Sequence, residues 1–436
     1  IENTSEQFNK TLDILRPKLM ITKRSQISRI METMEDVETE MILFEDIDNQ
    51  LEYMNNGIYF TSYVDGSVTD YRYREVIGSD LLYVMFTSGT TGEPKGVIVS
   101  QSTAVAATES YNGFVNVNSK DAFLNAFSFS ASASVDNTFY SVREKIKNYI
   151  MPCHNATDVL FGVRELNTMQ ITHLVCPAAF MRLAMEYDAL KKQKCKFLKF
   201  ITYGGEGVSI DALSYWSHHI DNVQIYNGYG ATEVIGGAIY HLFSPNEDTK
   251  YIPIGKPASK IIAVIYESKY GLITTKDVGH SGELYIGGDT VANGYLRNEK
   301  LTAEKFVQNP LHNDYRDIYF RTGDIVCYND QGELVYVGRK DNQIKHHGYR
   351  IELEEVERVV GTIKGINECG CVYDTDREQL ILFFAGEADE MAVHREAHDI
   401  LPQYMVPSKF IHLDEMPHNS NGKINRKKLA RKLEPK

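Results

Sequence analysis

Apolar positions recur at helical spacing at Phe8, Leu12 and Leu15, then run together from Lys18 to Thr22, which predicts a helix followed by a strand. The rhythm returns at Met169–Cys176, read as a strand, then a helix to about Lys191 and a strand over Lys199–Tyr203 ending on Gly204-Gly205. Strands that alternate with helices imply βαβ units, and so an α/β fold with a helix-covered sheet. After about Tyr251 the texture changes to short β-rich pieces with glycine turns, such as Gly282–Gly288 and Glu333–Val337. From Asp341 a further unit begins: a helix over Leu353–Val360, strands around Gly370–Val372 and Gln379–Phe384, a helix near Met391–Ile400, and a basic tail. The pattern predicts a large lobe over 1–340, with a β-rich subdomain at 251–340, and a small α+β domain over 341–436, divided at Lys340/Asp341. The polar stretch Asp36–Asn56 reads as an acidic surface segment.

The 436 residues exceed what one hydrophobic core organises, in keeping with two lobes. With 43% hydrophobic and 24% charged residues, the chain has a globular and not a disordered composition. Its net charge of −13 argues against nucleic-acid or anionic-membrane surfaces, so the expected partners are small molecules or proteins. The six cysteines form no CxxC pair and no disulfide framework, which suggests a reducing, cytoplasmic compartment. Cys369-Gly370-Cys371, alternate residues of an apolar run, reads as strand packing. No stretch of about 18 uncharged apolar residues and no signal-peptide pattern is present.

The densest chemistry lies in Thr87-Ser-Gly-Thr-Thr-Gly-Glu-Pro-Lys-Gly96, between the apolar runs Leu81–Phe86 and Val97–Val99. Gly89, Gly92 and Gly96 let the backbone approach a ligand closely, Thr87, Ser88, Thr90 and Thr91 offer hydroxyl donors, and Lys95 supplies charge. This is a phosphate cradle, though not GxxxxGK[ST], because Lys95 is followed by Gly96 and then a strand. The loop resembles the signature phosphate loop of the adenylate-forming superfamily, which includes acyl-CoA synthetases, beetle luciferases and nonribosomal peptide synthetase adenylation domains. Further motifs follow in that family's order: Asn227–Glu233, Gly282–Gly288 with Asn293–Tyr295, Tyr319–Asp324, Gly338–Lys345 with Gly348–Arg350, and Asn421–Arg426. The hinge run Gly338–Glu357 and the Asn421–Arg426 ending look most like peptide synthetase adenylation domains.

The resemblance implies attack of a carboxylate on the α-phosphate of ATP, giving an acyl-adenylate and pyrophosphate, then transfer to the phosphopantetheine thiol of a carrier protein. Such a step is mostly positioning and charge neutralisation. On that likeness Glu233 is the Mg²⁺ ligand, Thr232 contacts the α-phosphate, and Gly228 and Tyr229 lie at adenine. Asp324 accepts from the ribose hydroxyls, with Tyr336 as a second ribose contact close to Arg339. Asp341 becomes the hinge of the small domain, Gly348 lies along the thiol tunnel, and Lys423 bridges substrate carboxylate and leaving oxygen. A free-standing acyl-CoA ligase is the alternative, although no basic and aromatic CoA site is visible. A non-catalytic nucleotide-binding relative would be expected to lack Lys423, Glu233 or the loop, and none is missing.

The acid pocket departs from the family pattern. Members that activate amino acids carry an Asp in a Phe-Asp-x-Ser stretch that pairs with the α-ammonium; here Phe129–Asp136 puts Ser132 at that position. A buried ammonium without its carboxylate costs several kcal/mol. Either the acid lacks an α-amino group, or Asp136, one helical turn on, catches an amine displaced from it. By the same alignment Ala133, Ile201, Tyr203, Gly228, Gly236 and Gly237 line the pocket, and the three glycines are expected to leave room for a bulky side chain. The helix-strand start corresponds to a point partway through relatives' N-terminal subdomain. Ile1 is therefore expected to be an internal start, with residues 1–436 alone exposing an unpaired sheet edge and being unstable or inactive. For Lys423→Ala the expected outcome is loss of ATP/pyrophosphate exchange while thioester formation from supplied adenylate survives; equal loss of both would remove Lys423 from the adenylation step.

Overall fold

The computed structural model describes residues 5–22, 30, 40–43, 75–87, 93–115, 117–151, 155–191, 193, 195–245, 252–340, 343–346, 349–375, 377–418 and 424–433. Two compact units result, one of residues 1–76, 88–96 and 352–436, the other of 77–87 and 97–351. The second unit runs past the division expected at Lys340/Asp341, to Ile351, and residues 1–76 and 88–96 group with 352–436.

In the first unit, helix α1 (Ser5–Leu15) and strand β1 (Leu19–Thr22) lie where the periodicity puts them, and β1 pairs in parallel with β2 (Glu40–Leu43). The rest of Asp36–Asn56 lies outside the described residues. Strand β3 (Leu81–Thr87), of the second unit, pairs with β4 (Lys95–Ser100), which lies in that unit from Val97 on, and the two strands bracket the hydroxyl-rich loop. In the second unit Ser100 then caps α2 (Gln101–Asn112), its hydroxyl accepting the Thr103 N–H at 3.3 Å.

The second unit is organised by a sheet of seven strands among the described residues. Its elements in chain order are β5 (Ala122–Asn125), α3 (Ser132–Glu144), β6 (Lys147–Ile150), α4 (Ala156–Thr168), β7 (His173–Pro177), α5 (Ala178–Glu186), β8 (Phe200–Gly204), α6 (Ile210–His219), β9 (Gln224–Ala231), β10 (Val234–Leu242) and β11 (Lys256–Pro257). The spatial order is β11-β10-β9-β8-β7-β5-β6; β6 through β9 are parallel, with β10 and β11 antiparallel on one side. Parallel neighbours need crossovers, and the helices that supply them bury the sheet. Leu124, Leu174, Ile201 and Ile225 of the strands pack with Val163, Leu166, Phe180, Met181, Leu213 and Trp216 of α4, α5 and α6. The indole of Trp216 is satisfied by the Met181 carbonyl at 3.1 Å.

Strand β7 begins at His173 and not Met169, because α4 continues to Thr168 and Gln170 turns the chain at φ 53. The next helix stops at Glu186, short of Lys191, where Asp188 takes φ 49. The β-rich region comprises β12 (Ile261–Glu267), β13 (Gly271–Ile273), β14 (Gly282–Gly288), α7 (Glu299–Lys305), β15 (Phe306–Gln308), β16 (Ile318–Tyr328) and β17 (Leu334–Arg339), all strands antiparallel. A short pair, β18 (Gln343–His346) and β19 (Tyr349–Glu352), follows.

Beyond it the first unit resumes with α8 (Leu353–Val360), β20 (Ile366–Asp374), β21 (Gln379–Gly386), α9 (Glu390–Ile400), β22 (Lys409–His412) and α10 (Arg426–Arg431), the α+β pattern expected. The Glu357 carboxylate ties three of these elements, accepting the Cys371 N–H at 2.6 Å and the Arg426 Nη2 at 2.6 Å. Helix α10 falls in the stretch read only as a basic tail. With Leu429 as its sole buried residue, six positions present no period to recognise. Among the described residues no helix is long and apolar enough to cross a membrane.

Phe180 is buried with its ring 6.1 Å from Trp216, the chain's only tryptophan. Phe180→Ala is expected to lower stability by about 3–5 kcal/mol, read as a lower urea midpoint in Trp216 emission. An unchanged midpoint would contradict this core assignment.

Candidate active site

Where the parallel strands end, the chain must turn, and side chains from neighbouring turns converge there. In this chain the carboxyl ends of β7, β8 and β9 border a cavity of ≈ 180 Å³ within the second unit. Its wall includes Ser132, Ala133 and Asp136 from α3, Tyr203 from β8, Gly228 from β9, Thr232 at the β9–β10 turn, Gly236 and Gly237 of β10, and Asp324 and Arg339 of the β-rich region. Ten residues named from the sequence are thereby brought together.

The remaining ones lie elsewhere. Ile201 is buried in the sheet core. Tyr229 is buried beside the cavity, its hydroxyl donating to Asp324. Glu233 is fully buried, and its Oε1 accepts the Tyr295 hydroxyl at 2.6 Å. Tyr336 is 44% exposed on β17 and does not line the cavity. Thr87 closes β3 with its hydroxyl buried and, among the described residues, without a hydrogen-bond partner. In the first unit Lys95 Nζ stands 3.4 Å from Glu352 Oε1, both side chains buried. Ser88, Gly89, Thr90, Thr91, Gly92, Asp341, Gly348 and Lys423 lie outside the described residues.

Two carboxylates face the cavity in contrasting surroundings. Asp324 accepts from Arg339 Nη1 at 2.7 Å and from Tyr229, while Arg339 Nη2 reaches the Thr322 carbonyl at 3.2 Å. This guanidinium-compensated carboxylate joins β9, β16 and β17. Burial, and then the Asp324 charge, push the Tyr229 phenol well above its ordinary pKa, so it remains a donor. Among the described residues Asp136 has neutral partners only: the Tyr83 hydroxyl at 3.0 Å and the Gly236 N–H at 3.0 Å. Burial raises its pKa to about 6, against the lowering effect of those two donors.

Gly236 and Gly237 hold φ of 80 and 77 where the β9–β10 register shifts, a conformation that favours glycine. A Cβ on Gly236 would meet the Ala107 methyl at 2.8 Å, and one on Gly237 would collide with the Tyr240 hydroxyl. A Cβ on Gly228 would stand 3.1 Å from the Tyr240 ring. A side chain at these positions would thus meet the protein's own Ala107 and Tyr240, while the three glycines themselves line the cavity.

Two contributors escaped the sequence reading. Tyr83 sits in an apolar strand run and looks like core; its hydroxyl finds Asp136 only through the fold. Lys345, quoted within the hinge motif without a site role, donates to the Gly230 carbonyl at 3.0 Å and stands 5.5 Å over the Tyr229 ring.

Comparison with known proteins fits this arrangement. The sequence matches the family described as AMP-binding enzyme over residues 2–296, more than half of the chain. The chain belongs to the AMP-binding enzyme family. This bears out the resemblance to the adenylate-forming superfamily and the reading of the chain as an enzyme. It is 31% identical to gramicidin S synthase 1 of Brevibacillus brevis over 356 residues, 80% of this chain and 31% of that protein. The curated relatives matched are spanned over only 4% to 31% of their own length. The fold is that of the Vibrio cholerae adenylation domain AlmE, solved with glycyl-adenosine-5'-phosphate. The TM-score is 0.83 at 22% identity, over 99% of this chain and 82% of that one. An artificially fused adenylation–PCP di-domain synthetase from Klebsiella oxytoca aligns with TM-score 0.68 at 18% identity, over 93% of this chain and 87% of that one.

A carboxylate whose pKa is about 6 in the fold and near 3.9 when unfolded holds its proton more tightly in the fold. Its ionisation therefore erodes stability as pH rises from about 4 to about 6, by about 3 kcal/mol in total, and no further above that. Asp136→Asn is expected to remove this part of the slope in urea unfolding followed across pH 4–8. An identical slope in both proteins would contradict the buried, charge-uncompensated environment.

Proposed function

We propose that this AMP-binding family member activates a carboxylic or amino acid with ATP, and passes the acyl group to the phosphopantetheine thiol of a carrier protein in nonribosomal peptide or related synthesis. The observation that carries the reading is the convergence of Asp136, Ser132, Thr232, Asp324 and Arg339 on one cavity at the carboxyl ends of parallel strands. A substrate carboxylate oxygen attacks the α-phosphorus, the bond to the bridging oxygen breaks, and pyrophosphate leaves with that electron pair. Thr232 orients the α-phosphate, and Asp324, held by Arg339 and Tyr229, takes the ribose hydroxyls through lone pairs left beyond those two bonds.

The nucleotide fits the groups at hand. The orphaned Thr87 hydroxyl opens the phosphate loop, and hydroxyls and N–H groups there suit phosphate oxygens. Glu233, a hard carboxylate braced by Tyr295, suits Mg²⁺, which takes one or two carboxylates and phosphate oxygens and would neutralise phosphate charge. In this reading Lys423 stabilises the leaving oxygen, Asp341 is the pivot between 1–340 and 341–436, and Gly348 flanks the thiol path. Carrier-protein transfer is supported by the likeness to the Klebsiella oxytoca di-domain, whose title names a PCP partner.

The test is isotope exchange between pyrophosphate and ATP with the purified protein that carries this chain, Mg²⁺ and a broad panel of acids. Acid-dependent exchange is expected, and Arg339→Ala should lower kcat/KM for ATP roughly 100-fold by leaving Asp324 uncompensated. No exchange with any acid, or exchange indifferent to Arg339, would contradict the proposal.

A further inference from the structure

The sequence places Ser132 where relatives that bind α-amino acids keep a carboxylate, and the structure gives Ser132 a neutral neighbour, the Thr232 hydroxyl at 3.5 Å. On that alignment the α position of a bound acid would face these two hydroxyls. One turn along α3, Asp136 lines the same cavity, and residues four apart on a helix share a face with Cβ atoms about 5–6 Å apart. Its carboxylate is enclosed and accepts only the Tyr83 hydroxyl and the Gly236 N–H. Among the described residues no lysine, arginine or histidine bonds to it. The contrast with Asp324 is chemical: both carboxylates line one cavity, yet only Asp324 carries a guanidinium.

A buried carboxylate without a cation is costly, and two neutral donors offset only part of that cost. Each of its oxygens accepts one hydrogen bond and can accept another. A ligand cation entering the cavity would complete the site. The anchoring of Asp136 by Tyr83 on β3 and by the bulge at Gly236 fixes the carboxylate before any ligand arrives, which limits the ordering cost of binding.

We propose that Asp136 is the specificity-determining residue of the acid pocket and pairs with an ammonium carried off the α carbon, so that the substrate is a β-, γ- or side-chain-amino carboxylic acid. This rests on the adenylation reading above. The ammonium donates to the Asp136 carboxylate in a charge-assisted hydrogen bond, while the acid's carboxylate stays near Thr232. An α-amino group in the usual place would face Ser132 unpaired, and an amine-free acid would leave Asp136 as it is.

The experiment uses the full chain with six probes: β-alanine, 4-aminobutanoate, L-2,3-diaminopropanoate, L-ornithine, L-2-aminobutanoate and butanoate. Two readouts are taken, pyrophosphate exchange with ATP and thermal stabilisation by the acid alone. At least one of the first four is expected to exceed both L-2-aminobutanoate and butanoate by roughly 100-fold in kcat/KM, and which one separates β-, γ- and side-chain amines. Asp136→Asn should cut that preference by a similar factor, mainly through KM, with folding verified by Trp216 emission. Preference for L-2-aminobutanoate or butanoate, or a preference unchanged in Asp136→Asn, would overturn the assignment while leaving adenylation intact. If Asp136→Asn does not fold, the wild-type ranking alone decides. Stabilisation by an off-α amino acid, lost in Asp136→Asn but without any exchange, would instead uphold Asp136 and remove the adenylation reading. Neither exchange nor stabilisation by any probe would overturn both.

Discussion

The carboxylate of Asp136 is the group on which the shape of the acid pocket depends. It binds Tyr83 of β3 on one oxygen and the backbone of the β10 bulge on the other, and its own backbone belongs to α3. Three elements distant in sequence are thereby fixed around one buried charge. The bulge itself requires Gly236 and Gly237 in the left-handed region, because Ala107 and Tyr240 occupy the places where their side chains would be.

Asp324 shows the opposite solution within the same cavity. Arg339 and Tyr229 hold it, so a ribose would meet a positioned acceptor whose charge is already balanced. An ion pair of this kind sets geometry; an uncompensated carboxylate sets selectivity, since it rewards only a ligand that brings the missing charge. Two acidic residues on neighbouring walls thus acquire different tasks from their partners and not from their type.

Much of the fold was legible because apolar periodicity is strong where parallel strands are buried on both faces. Strand β8 and helix α8 fall within a residue of expectation. The ends that moved, at His173 and Glu186, are set by helix continuation and left-handed residues that no period encodes. Motif spacing located Thr232 and Arg339 because one sits on the β9–β10 turn and the other ends β17, whereas Asp324 and Asp136 lie within β16 and α3 and are placed by their neighbours in the motif. Tyr83 and Lys345 stayed hidden, since a tyrosine in an apolar run and a lysine in a charged stretch gain meaning only from residues 53 and 115 positions away. The glycines were legible only in part for a related reason: absence of a side chain reveals space, but not whether ligand or protein fills it.

The central claim is that Asp136 meets a ligand ammonium. It is tested most directly by a crystal structure with the non-hydrolysable sulfamoyl-adenosine analogue of β-alanine. The account predicts the ligand nitrogen within hydrogen-bond distance of an Asp136 carboxylate oxygen, with Tyr83 and Gly236 still bound to it. A nitrogen seated at Ser132 or turned to solvent, with Asp136 unchanged, would contradict it.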